Sequence, residues 1–270
     1  MEAESPTARR VEMDRPLPCV ATRLTSLQMF RALVRQSLCF VLAAMTAVAH
    51  GDSLLQPWAD VGDTPSAPWQ VVGLPQQKKQ LTQFSLVEVD GRRALRVEAN
   101  NAYGNLVQTL NSAMVPQTLS WLWRVEIFNT AADLRHKQTD DTTLKVCVFF
   151  DLPLRQVPFF ERQILRVARA RSPVPLPAAT VCYVLDPMLP AGTTLENAYT
   201  SRVRYVVLAN GDALKARWRT EQRNVAQDFL NLFGDESQQL PPVIGVGIGA
   251  DSDNTHARSV GYVADLVLAP

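Results

Sequence analysis

Apolar and polar residues alternate with period two over much of the chain, the pattern of strands with one buried face. In residues 119–127 every odd position is apolar: Leu119, Trp121, Trp123, Val125 and Ile127. Leu95, Val97 and Ala99 repeat the pattern within 94–99. Residues 84–89 precede that run, and Asp90-Gly91 between them is a short-turn pair, which predicts a hairpin. Asn210-Gly211 predicts a second hairpin, between 203–208 and 214–218. Residues 145–150 and 180–185 are more continuously apolar, as central strands are, and 243–248 and 262–268 close the chain. Two segments have helical spacing instead, at about 157–171 and 220–233, the second ended by Gly234. Pro173, Pro175 and Pro177 read as a connector after the first. The sum is a mostly β fold, an antiparallel β-sandwich or jelly roll with two helical excursions. A βαβ series would need more regular helices. No shift in composition divides residues 50–270, which read as one domain.

The N-terminal 49 residues read as a leader. Arg31 and Arg35 form a positive region, 38–45 an apolar run, and Ala47-Val48-Ala49 a small-x-small cleavage site, so 29–49 has the layout of a secretory signal peptide. The apolar run is far short of the roughly 20 residues that span a bilayer. No Cys follows it, so a lipoprotein is not indicated. Residues 1–28 are unusual before such a signal, and Met13 or Met29 are alternative starts. The pattern predicts an exported protein, periplasmic or secreted.

Charge then changes meaning. The 270 residues carry 27 Lys plus Arg against 26 Asp plus Glu, net +1. Without the six Arg and four acids of residues 1–49, the remainder has 21 basic and 22 acidic residues, net −1. That balance argues against a nucleic-acid partner, which calls for a basic face. Of four Cys, only Cys147 and Cys182 remain after the leader.

The acids carry the most information. Asp140-Asp141 precedes a predicted strand, and Asp251-x-Asp253-Asn254 follows one. Asp133, Asp151 and Asp186 also lie near strand ends. If these loops gather at one end, the carboxylates converge, and converging carboxylates want a hard cation or a basic partner. Asp140, Asp141, Asp251, Asp253 and Asn254 are therefore a candidate calcium set, calcium being the one cofactor considered. The loop is no EF-hand, because His256 and Tyr262 stand where Gly and Glu are needed. The alternative is that the acids cap turns and pair with Arg135, Arg202, Arg204 or Arg223. Asp60 with Asp265 is a second candidate calcium pair. Arg223-Asn224 opens the second predicted helix; its guanidinium suits either an acidic ligand or an internal bridge to the acids.

Other chemistry is thinner. His50, His136 and His256 lie near no Ser elbow and give no zinc spacing with two Cys. Cys147 and Cys182 occupy equivalent places in similar strands, so they are either a disulfide or two buried thiols. The helix at 159–171 sets Arg155, Arg162, Arg166, Arg169 and Arg171 around Phe159, Phe160, Ile164, Leu165 and Val167. It either contacts an anionic membrane surface or covers its own sheet. Trp58, Trp69, Tyr103 and Tyr199 are candidate sugar platforms; Trp121, Trp123 and Trp218 read as core.

Several runs carry a family resemblance: 85–99, 121–126, Ala132-Asp133-Leu134-Arg135 with Asp140-Asp141, 182–186, 221–225 and 251–255. Together they resemble the exported bacterial proteins grouped as domain of unknown function 3047, over nearly all of the chain after the leader. The resemblance implies export and no activity. The chain departs from the pattern at His256 and before Asp265, where Gly is usual, which bears on any glycine turn there. The closing strand Ala264-Asp265-Leu266-Val267-Leu268, with Trp58-Ala59-Asp60, is loosely similar to carbohydrate-binding jelly rolls.

Three classes of function follow. The first is a non-catalytic module binding a glycan or envelope component through Asp140, Asp141, Asp186, Arg223, Asn224, Asp251, Asp253 and Asn254. The second is a hydrolase, glycoside hydrolase-like, using Asp140, Asp141, Asp251 and Asp253. The third is an envelope scaffold with the basic helix as its contact.

Overall fold

The computed structural model describes residues 53–59, 61–74, 77–172, 176–211 and 215–270; the 1–49 leader with its signal lies outside them. Alternation and one tight turn organise the first sheet. Strands β2 (Gln83–Val89) and β3 (Arg92–Asn100) pair in register from Gln83↔Glu98 to Val89↔Arg92. Asp90 (φ 53°) and Gly91 (φ 72°) make the reversal, the two left-handed positions a type I′ turn needs. The five-stranded sheet runs β10 (Arg219–Asn224), β5 (Thr118–Ile127), β12 (Arg258–Ala269), β3, β2, all antiparallel.

The seven-stranded sheet runs β1 (Gln70–Val72), β4 (Tyr103–Met114), β11 (Val243–Asp251), β6 (Lys145–Phe150), β7 (Ala179–Asp186), β9 (Val203–Asn210), β8 (Thr194–Glu196). Its pairs are antiparallel except β7 with β9. The two sheets form the β-sandwich of jelly-roll type, with helices α1 (Phe159–Arg171) and α2 (Val225–Phe233) as its excursions.

The core is the sum of the inward faces. Leu119, Trp121, Trp123 and Val125 of β5 meet Val146, Val148 and Phe150 of β6 and Tyr183 of β7. The Trp121 ring lies 5.3 Å from both Trp123 and Tyr183. A second cluster covers part of the outer face of the seven-stranded sheet. There Leu134, from the loop before β6, packs on Cys147, Cys182, Val184, Tyr205 and Val207. Cys147 and Cys182 are directly opposite in β6 and β7 and are joined as a disulfide, S–S 2.06 Å. Gly247 of β11 leaves room for a neighbour, since a Cβ there would stand 2.7 Å from the Phe149 ring.

Two predicted elements differ. Asn210-Gly211 does not close a hairpin. β9 is flanked by β7 and β8, and after Gly211 the chain crosses to the other sheet, where β10 pairs with β5. Ala216 takes a left-handed φ of 54° and Lys215, Ala216 and Arg217 are exposed, so no strand forms from them to join β9. Strand β9 is buried on both faces and needs apolar neighbours on either side. The helix read at 220–233 begins only at Val225, because 219–224 pair with β5 through six residues.

Candidate functional site

The predicted acids do gather, at the end of the seven-stranded sheet where β6 begins and β11 and β7 end, but they face one another's hydrogen-bond donors. Asp251 accepts from the Thr142 backbone N–H at 2.6 Å, from the Thr142 hydroxyl, and from the Lys145 ammonium at 3.0 Å. Side chains of Lys145 and Asp251 are each 6% exposed. Burial works against the Lys145 charge, but the Asp251 carboxylate with Tyr103 and Tyr205 together raise the ammonium above its ordinary range. Burial pushes the Asp251 carboxyl up, against the pull of Lys145 and Thr142. Asp141 accepts from the Asn254 N–H at 3.2 Å, and from the Thr255 N–H and hydroxyl at 2.7 and 2.6 Å. Asn254 returns its amide to the Asp140 carbonyl at 3.1 Å.

Asp140 is left short of a donor. One carboxylate oxygen accepts from Asn197, which also donates to Tyr205 at 2.9 Å; the other, Oδ1, is buried with no hydrogen-bond partner. Burial, with the Asp251 charge behind it, pushes the Asp140 carboxyl up to about 7. Asp186 Oδ1 accepts from the N–H groups of Met188 and Leu189 at 2.8 and 2.6 Å, a local turn, and its Oδ2 is buried without a hydrogen-bond partner. Asp253 pairs with Lys79 at 2.7 Å. Asp133 is tied to Arg135, whose hydrogen bonds hold its carboxyl down to about 2.

These contacts bear on the calcium and hydrolase readings. Among the described residues no three or more Asp, Glu, His or Cys are grouped to hold a metal ion. Of the candidate calcium set Asp140, Asp141, Asp251, Asp253 and Asn254, Asp141 and Asp251 are engaged with protein donors and Asp253 with Lys79, while Asp140 keeps one buried oxygen without a partner. Of the four acids of the hydrolase reading, Asp140, Asp141 and Asp251 are buried and Asp253 is ion-paired to Lys79. For the second calcium pair, Asp60 lies outside the described residues and Asp265 is ion-paired to Arg92. His256 keeps the left-handed turn despite its side chain, at φ 53°, with Nδ1 2.9 Å from the Asn101 amide oxygen.

Arginines expected to serve the loop acids serve others. Arg202 and Arg204 converge on Glu236 at 2.6 Å, and Arg204 lies 4.1 Å over the Phe233 ring. Arg223 binds Asp228 of α2 with two hydrogen bonds of 2.9 and 2.6 Å. Asn224 caps α2, accepting from the Gln227 N–H at 2.9 Å. Among the aromatics, Trp69 is buried, packs 4.6 Å from Trp58 and donates to the Gln56 carbonyl. Tyr103 lies under the Lys145 ammonium at 5.0 Å, and Tyr199 is exposed. Trp218, expected in the core, is half-buried beside Tyr262 with Arg92 above it.

The open site is elsewhere, at the edge where β10 faces β9, β8 and α2. A groove of about 440 Å³ is lined by Arg219, Glu221, Arg223, Asp228, Asn231 and Thr194, with Val207, Leu208 and Leu232 as apolar backing. Alternation along β10 aims Arg219, Glu221 and Arg223 to the same side. Glu221 accepts from Trp123 Nε1 at 3.2 Å and pairs with Arg219 at 2.6 Å. Burial pushes its carboxyl above the usual range, against Arg219 and the Trp123 bond. Asp228 also accepts from the Tyr183 hydroxyl at 2.8 Å. Of the predicted residues, Arg223 alone lines this groove. The missed signal was Asp228, a charged residue on the buried stripe Val225, Asp228, Phe229 and Phe233. A groove of about 490 Å³ lined by Lys78, Lys79, Gln80, Asn100, Asn101 and His256 has only exposed side chains.

The family model described as protein of unknown function DUF3047 matches residues 67–267. The chain belongs to this family. No curated protein matches it. Among solved structures, the DUF3047 chain is similar to the xyloglucanase domain of NopAA, a type three effector from Sinorhizobium fredii, in complex with cellobiose. The identity is 7%, the match covers 79% of this chain and 99% of that one, and the TM-score is 0.41. It is also similar to endoglucanase cel12A from Rhodothermus marinus, at 10% identity, 74% and 95% coverage, and TM-score 0.35. A third is TmCBM61 in complex with beta-1,4-galactotriose, at 10% identity, 75% and 88% coverage, and TM-score 0.30.

Proposed function

We propose that this DUF3047 protein is a non-catalytic binding module of the bacterial envelope that takes a neutral saccharide in the edge groove. One observation carries the reading: two carboxylates and two guanidiniums, locked to each other, line a single groove with an apolar backing. Planar groups held in place offer both donors and acceptors at little cost in side-chain entropy. Their charges cancel, so the groove attracts neither anions nor cations strongly, and a ligand rich in hydroxyls with weakly apolar faces fits it. Both carboxylates are already tied, Asp228 to Arg223 and Tyr183 and Glu221 to Trp123 and Arg219, which disfavours a nucleophile.

The test is a saccharide array probed with the full chain, followed by titration calorimetry on the best ligand. Arg219→Ala and Asn231→Ala, both at exposed positions, are expected to weaken binding about tenfold each while leaving the fold intact. Absence of saccharide binding, or binding indifferent to both variants, overturns the proposal. Turnover of the bound saccharide overturns its non-catalytic part. Export belongs to the same proposal, and the Cys147–Cys182 bond supports it, since such bonds persist in oxidising compartments. N-terminal sequencing of periplasmic protein is expected to begin at His50.

A further inference from the structure

Helix α1 wears its apolar stripe on the outside. Phe160, Ile164 and Val167, spaced i, i+4, i+7, are 81%, 62% and 52% exposed, and Phe159 beside them is 61% exposed. Leu165 is the one buried side chain of the helix. The reading in which the apolar stripe of this helix covers its own sheet is thereby corrected: among the described residues that stripe is mostly exposed, and only Leu165 reaches the core. The five arginines expected around that stripe are present, and among the described residues none of Arg155, Arg162, Arg166, Arg169 and Arg171 has an ion pair, whereas most arginines elsewhere do. The helix's single acid, Glu161, turns toward the body, 3.7 Å from Arg202.

We propose that α1 is a docking surface for an anionic lipid membrane. This goes beyond the saccharide reading and does not depend on it. Two phenylalanines and two branched aliphatics enter the boundary between headgroups and acyl chains, while the exposed guanidiniums of Arg155, Arg166 and Arg171 bind lipid phosphates; Arg169 donates to the Leu176 carbonyl at 2.8 Å and the Arg162 Nε is buried. A protein partner with an acidic apolar groove would fit the stripe less well, because the cations begin in the approach loop at Arg155 and continue to the helix end at Arg171. A helix of 13 residues lies on a bilayer and does not span it.

Sedimentation with vesicles of phosphatidylglycerol and phosphatidylcholine, against phosphatidylcholine alone, tests the proposal. Because residues 38–45 are themselves apolar, the readout is the difference between the full chain and variants altered only in α1. The double variant Phe160→Asp/Ile164→Asp, at exposed positions, is expected to lower partition onto the anionic vesicles by about tenfold or more. Arg166→Gln/Arg171→Gln is expected to lower it and to flatten its decline with salt. Thermal melts confirm that both variants fold. Partition unchanged by the apolar variant overturns the proposal, as does equal, salt-independent partition onto the neutral vesicles. Self-association abolished by the same variant without any vesicle difference assigns the surface to a second copy instead and overturns it too.

Discussion

At the loop end, the buried acids Asp140, Asp141 and Asp251 have one buried cation beside them, Lys145, paired to Asp251; in the edge groove, Glu221 and Asp228 face Arg219 and Arg223 one to one. The first set is out of balance and makes up the difference with neutral donors: Thr142, Thr255, Asn254 and Asn197. What those donors cannot supply falls on Asp140, whose carboxyl is pushed up to about 7 by burial. The second set is balanced and leaves polar edges on a wall. Acids at strand ends thus hold loops to the sheet, while charges on an edge strand form the accessible surface. Counting acids does not separate the two; counting their partners does.

The largest expected effect breaks the loop end at its cation. Lys145→Met leaves Asp251 buried without its ammonium, a change that costs about 3–5 kcal/mol. Guanidinium unfolding measures it. Adding Asp251→Asn to the same chain removes the stranded charge and is expected to restore part of the loss. A cost of Lys145→Met below about 1 kcal/mol would show that neutral donors alone hold the carboxylate.

Asp140 sharpens the comparison through pH. Its folded value is about 7 against an ordinary 3.8. Between those values the folded state keeps a proton that the unfolded state has released, so stability falls as pH rises through this window. Asp140→Asn removes the titration. The shift of about three units corresponds to up to about 4 kcal/mol, and the weaker bond from Asn197 to a neutral acceptor offsets part of it. A net gain of about 1–2 kcal/mol at pH 8, shrinking toward pH 4, is expected in unfolding curves taken across that range. In the groove, Glu221→Gln is expected to flatten a slope of the same sign, because burial raises that carboxyl as well, with a stability change within about 1 kcal/mol.

The legibility of these regions differs for physical reasons. The β2–β3 hairpin and the core face of β5 could be read because a turn pair and a period of two are local properties. The gathering of Asp140, Asp141, Asp186 and Asp251 could be read as well, since strand ends of one sheet share an edge. Their burial could not, because it depends on the loop before β6 folding over Tyr205 and Val184. The groove was invisible for a related reason. It lies between strands of different sheets, and the turn at Gly211 looks the same whether it closes a hairpin or starts a crossing. The outward stripe of α1 has the same periodicity as an inward one; only packing tells them apart.

The start of α2 tests this last point at the smallest scale. Glu221, Gln222 and Arg223 are good helix formers, yet residues 219–224 pair with β5, and Asn224 ends the strand by capping the helix that carries Asp228. An N-cap side chain satisfies an otherwise unpaired N–H of the first turn, and replacing it with alanine costs about 1 kcal/mol. Asn224→Ala is expected to lower stability by that amount, and Asn224→Asp, which keeps the acceptor and favours the positive end of the helix, to leave it unchanged or slightly raised. If the cap sets where α2 begins, Asn224→Ala also loosens the Arg223–Asp228 pair, and amide exchange of Gln227 and Asp228 rises while that of β10 stays slow. If exchange there is unaltered, the register of β10 on β5 alone fixes the helix start, and the groove owes its geometry to the sheet and not to the cap.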